Sequence, residues 1–250
     1  MRNNWTEPND VGDADTIFNC CLFRMIGTSE FAEAHGWVKD KWDSSYTKAL
    51  IQDRIDNKLR TFTGAYIITN QGIKAPKSEI VVDHFLRPIW ENREKILKRM
   101  LFPSEHCSLQ KAHQELSNYR GWGGGGFMAY EVVTDLNYTK VLRRANDKMT
   151  WANAGPGAVR GLNRIYNRPL NKSLNQDQAN IEMRKLLHLV SQHEHTLKDT
   201  PIKNIDMRTI EHSLCEWDKY QRIHLKQGRP RSKFDHHISF MNPLTKGSVL

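Results

Sequence analysis

Apolar residues recur at helical spacing along most of this chain, and that period limits the folds open to it. In 15–26, Ile17, Phe18, Cys21, Leu22, Met25 and Ile26 form one apolar stripe at i, i+1, i+4 and i+5. Residues 78–101 repeat the pattern from Val81 to Leu101, with Ser78 as the expected N-cap, a kink expected at Pro88 and a stop at Pro103. Further helices are expected over 104–119, 127–137, 139–152, 158–167 and 175–198, and one capped by Asp206 that runs to about 224. Only 61–69 reads as extended, and nothing alternates as strand–helix–strand. The expected fold is therefore all-α: a flexible N-terminus over 1–14, a single helical domain over 15–226 and a basic C-terminal arm over 227–250.

At 250 residues with 9% aromatics, the chain can bury a sizeable core and is not a mainly disordered polymer. No apolar run approaches the roughly 18–20 residues of a membrane span. The polar, acidic start MRNNWTEPNDVGDAD does not read as a signal peptide. Cys20, Cys21, Cys107 and Cys215 form no CxxC pair, so neither a disulfide framework nor a cysteine zinc site is expected. His193, His195, His236 and His237 lack the spacing of a metal site and read as surface residues. The expectations are a cytoplasmic monomer with no metal and no cofactor.

The net charge is +9, and it is concentrated. Residues 139–172 hold eight basic side chains against Asp147 alone, and 219–250 hold seven against Asp235. Two such blocks read as a polyanion footprint, with a solvated basic surface as the plain alternative. Inside the first block, TWANAGPGAVRGLNRIY (150–166) resembles a helix-hairpin-helix DNA-binding element. Gly155 and Gly157 would let the backbone approach a phosphate, and the following helix would offer its free amides. Arg160, Gly161, Arg164 and Arg168 would continue the DNA contact along one face, joined by Arg229 and Arg231 in the arm. An ordinary turn with glycine caps is the alternative.

Four segments then reach a family resemblance: Phe18-Asn19-x-x-Leu22-Phe23-Arg24; the glycine run Gly123–Gly126 with Phe127, Ala129, Tyr130, Glu131, Asp135 and Leu136; the Gly155-Pro156-Gly157 hairpin; and Glu211-His212-x-Leu214-Cys215-Glu216-Trp217-Asp218-Lys219-Tyr220 with Arg222. Together, over about 15–235, they resemble the α-glutamyl/putrescinyl thymine pyrophosphorylase family, also known as the helical domain of 5-hydroxymethyluracil DNA kinases. The resemblance implies a fold related to helix-hairpin-helix DNA glycosylases. It also implies work on double-stranded DNA carrying hypermodified pyrimidines, in phages or in hosts that defend against them. No Gly-x-x-x-x-Gly-Lys-Ser/Thr loop is present to supply a kinase.

On that resemblance, Asp218, Glu216, Glu131 and Lys219 are the catalytic candidates. Asn19, Arg24, Phe127, Tyr130, Asp135 and Arg222 are the substrate-binding ones. Periodicity alone reads the same carboxylates as helix-surface salt bridges, such as Asp218 with Arg222. Glu131 and Asp135 stand at i, i+4 and repel unless a cation or donor lies between them; Arg24 is as readily a buried partner for a carboxylate as a substrate contact. Tyr130 and Phe127 suit either a base-stacking wall or the core. Excision of a modified base is the expected activity. Transfer of an amino acid or polyamine with loss of pyrophosphate is the alternative, and a non-catalytic DNA-binding module the second. Excision without strand cleavage is expected: Val159 stands two residues beyond Gly157, where many strand-cleaving relatives place a lysine.

Overall fold

A computed structural model describes residues 11–64, 66–102, 107–193 and 204–228. All regular structure among them is helical: α1 (Ala14–Ile26), α2 (Ser29–His35), α3 (Ser44–Asp56), α4 (Lys77–Glu79), α5 (Arg87–Leu101), α6 (Leu109–Ser117), α7 (Phe127–Leu136), α8 (Pro156–Ile165), α9 (Gln176–Gln192) and α10 (Met207–His224), with a π-helical stretch Ile80–Leu86 joining α4 to α5. The all-α expectation holds.

Helix α1 lies at the centre, packed against α5 and α7. The Asp13 carboxylate accepts from the Thr16 N–H to cap its start, and Gly27, at φ 75°, ends it. Its apolar stripe, including Cys20 and Cys21, is fully buried. Asn19 is buried too: its amide donates to the Asp15 and Val38 carbonyls, and its Oδ1 accepts from the Val38 N–H. That closed set clips the 36–40 segment onto α1 and leaves Asn19 nothing for a substrate.

Proline lacks an N–H, and its ring crowds the carbonyl four residues back. The chain answers with the wider turn of Ile80–Leu86, which ends just before Pro88. Ser78, expected as the N-cap, lies inside α4, and Pro76 takes the N-cap position. The stretch 139–152 is not helical; its turns present Asp147, whose carboxylate accepts from the N–H groups of Leu109 and Gln110 and the hydroxyl of Ser108. It thereby serves as an external cap on α6. No first helix therefore precedes the glycines of 155–157: the chain enters α8 from extended residues, with Gly155 at φ −74° as N-cap.

Helices α8 and α10 pack more closely than any other pair. Gly157 and Gly161 make this possible, because a Cβ on Gly161 would meet the Leu214 carbonyl oxygen at 2.7 Å. Beside them Asp218, with no exposed surface, accepts from Arg160 Nε at 2.7 Å and Arg164 Nε at 3.0 Å. Arg229, Arg231 and the arm from 229 onward lie outside the described residues, as do 1–10, His195, His236 and His237.

Candidate functional site

Helices α1, α7 and α10 and the loop before α8 enclose a cleft of about 310 Å³. Its floor is a chain of alternating charge. Arg24 on α1 holds Asp135 through Nε at 2.5 Å and Nη2 at 2.7 Å, and reaches Glu131 Oε2 through Nη1 at 2.9 Å. Glu131 also meets Arg208 on α10 at 3.3 Å, and Arg208 in turn holds Glu211 at 2.7 Å. The i, i+4 carboxylates of α7 thus stand together because one guanidinium lies between them.

Burial tunes these groups. It pushes the Glu211 carboxyl above its ordinary range, against the opposing pull of Arg208 and a backbone N–H from Gly155. Burial raises Asp135 as well, opposed by the bonds from Arg24. Burial works against the charge on Arg24, but Asp135 and Glu131 outweigh it and raise its pKa.

The walls are aromatic. Phe127, half exposed, meets Tyr66 edge to face at 5.4 Å, and the Tyr66 hydroxyl donates to the Arg24 carbonyl. Tyr130 packs edge-on against Trp151 at 5.7 Å, under the Arg208 guanidinium at 5.1 Å from its ring. Gly125 and Asn153 complete the lining on the loop side. At the rim, Lys219 Nζ donates to Glu216 Oε1 at 2.5 Å, and that bond raises the lysine's pKa.

Of the residues singled out in the sequence, the cleft gathers Arg24, Phe127, Tyr130, Glu131, Gly155, Glu216 and Lys219, with Asp135 directly beneath. Asp218 and Asn19 stand apart in the interior, and Arg222 lies outside the lining. The three described arginines assigned to DNA are each paired with a carboxylate of the protein: Arg160 and Arg164 with Asp218, Arg168 with both oxygens of Glu182. Gly157 faces α10, so it is spent on helix packing. Arg208, Tyr66 and Asn153 were not anticipated, and Glu211 stood in the family motif without being assigned a role. The available signal was the Arg208–Glu211 spacing of i, i+3 in the first turn of α10.

Among the described residues no cluster of His, Cys, Asp and Glu is arranged to hold a metal ion, and no helix is long and apolar enough to cross a membrane. The family described as 5-hmdU DNA kinase, helical domain, matches residues 1–229. Neither the curated proteins nor the solved structures give a match.

Proposed function

Since the chain belongs to the 5-hmdU DNA kinase helical-domain family, we propose that it is a DNA glycosylase that excises a 5-substituted pyrimidine. The observation that carries this is the aromatic-walled cleft, in which Glu131 and Glu211 stand on opposite sides of Arg208. A flipped base would stack on Phe127 and Tyr130. The bond from the base nitrogen to the sugar C1′ breaks, and the base keeps the electron pair. Glu211, whose carboxyl burial pushes above its ordinary range, gives the departing base its proton. Water adds to C1′, and Glu131 takes the proton it sheds while its charge faces the cationic sugar. Solvent exchange then restores both carboxyls, and the DNA keeps an abasic site. A host expressing such an activity would hold a defence against phages with modified DNA.

Group transfer that displaces pyrophosphate calls for cations to receive a highly charged leaving group. Arg24, Arg208 and Lys219 are each already paired with a carboxylate, which favours excision over transfer. The deciding experiment is incubation with modified phage DNA, followed by mass spectrometry of released bases and of the remaining nucleosides. Free modified base with abasic sites supports excision. Pyrophosphate with a heavier nucleoside assigns transfer instead, and no change in either pool leaves a binding module.

A further inference from the structure

We propose that the groove between α5 and α6 holds the phosphodiester backbone of the DNA strand that leads to the cleft. This rests on the DNA-acting reading above, but not on the chemistry done in the cleft. The groove, about 580 Å³, is lined by Lys95, Lys98, Arg99 and Lys111 against a single acid, Glu115. Glu115 is already paired with Arg99 at 3.0 Å. Lys111 donates to the Phe102 carbonyl, which fixes its ammonium at the α5 end of the groove. Lys95 and Lys98, exposed one turn apart, make no ion pair among the described residues.

The contacts Arg99–Glu115 and Lys111–Phe102 show that the two helices run antiparallel. One end of the groove therefore carries Phe102, 68% exposed and able to stack on a base. The other end adjoins Asn118, where the chain leaves α6 for the glycine run. Gly125 of that run lines the cleft, seven residues after Asn118. A Cβ on Gly124 or Gly125 would touch nothing, so the connecting surface is open to a passing backbone. With Arg160, Arg164 and Arg168 engaged by carboxylates, this groove brings unpaired positive charge and a concave surface together among the described residues.

The test is the affinity of the full chain for unmodified duplex DNA across a range of salt, for wild type, Lys95→Gln/Lys98→Gln and Lys95→Glu/Lys98→Glu. Each lost phosphate contact should lower the slope of log affinity against log salt by about 0.9. The Gln pair should therefore lose close to two units of slope and bind at least tenfold more weakly, the Glu pair more so, with wild-type melting temperatures. Unchanged affinity and slope overturn the assignment, as does weaker binding with the slope intact. No binding by wild type sinks this assignment together with the DNA reading. Binding here, with no base released from modified phage DNA, sinks only the glycosylase.

Discussion

Gly157 lies against Cys215 so closely that a Cβ on the glycine would stand 2.4 Å from the Cys215 Sγ. That contact changes what the hairpin glycine is for. The sequence suggested a backbone approaching phosphate. The structure instead predicts overpacking between α8 and α10. Gly157→Ala should cost about 1–3 kcal/mol. Cys215→Ala in the same chain should recover part of that loss, because the sulfur is the nearest obstacle. Thermal denaturation of the two single variants and the double variant measures the coupling. Additive effects would show that the two residues do not meet.

Asp218→Asn should act on stability before it acts on chemistry. The carboxylate has no exposed surface and accepts from both Arg160 and Arg164, and the Arg164 side chain is itself 9% exposed. Removing one member of a buried ion pair typically costs about 3–5 kcal/mol, because the partner charge stays buried. A large drop in melting temperature is expected, with a matching drop for Arg164→Ala. A variant that melts like wild type but has lost base release would return Asp218 to the catalytic machinery.

These two cases show where sequence reading reached and where it stopped. Helix α10 was legible from Asp206 to its end because a cap and an apolar stripe agree. α1 was legible from its apolar stripe alone, while its cap, Asp13, lies in the stretch expected to be a flexible N-terminus. Helices α2 and α3 were not, since α3 buries only Thr47 and Ile51 and so carries almost no period. The 139–152 stretch misled because Val141, Leu142 and Ala145 are buried within turns, pinned by Asp147 to a helix 38 residues away. In the cleft, Arg24, Tyr130 and Glu131 were found through the family resemblance. The choice between Asp218 and Glu211 was not available from periodicity, because both fall on one face of α10. Only the packing of α8 separates them, covering Asp218 while Glu211 still lines the cleft.

Glu211 should set a pH limb. Burial raises its pKa, so the folded chain keeps the proton to a higher pH than the unfolded one. The associated stability is fully present below the unfolded glutamate pKa and is lost as pH rises through the folded value. Base release should fall through that same folded value, because the protonated form is the donor. Glu211→Gln should lower the rate by about 10²–10⁴-fold and remove the limb. It should also flatten the decline in stability, since glutamine does not titrate. A wild-type pH–rate profile in the Gln variant would assign the limb to another group of the cleft.

Base release should leave the DNA strand intact. Strand-cleaving glycosylases attack the sugar C1′ with a neutral amine, and the resulting Schiff base can be reduced and trapped. Val159, at the position where many such enzymes carry lysine, has no nucleophile. Among the described residues Lys219 is the one lysine that lines the cleft. Its Nζ donates to Glu216 at 2.5 Å, and that bond raises its pKa, so the amine is held protonated and its lone pair is occupied. Glu216→Gln would release the proton more readily without adding a path to C1′, because Lys219 sits exposed at the rim. Borohydride should therefore trap no protein–DNA adduct in wild type or in Glu216→Gln, and strand breaks should appear only after alkali or an added lyase. A trapped adduct that disappears in Lys219→Ala would make Lys219 the nucleophile and turn the hydrolytic assignment of Glu131 into a supporting one.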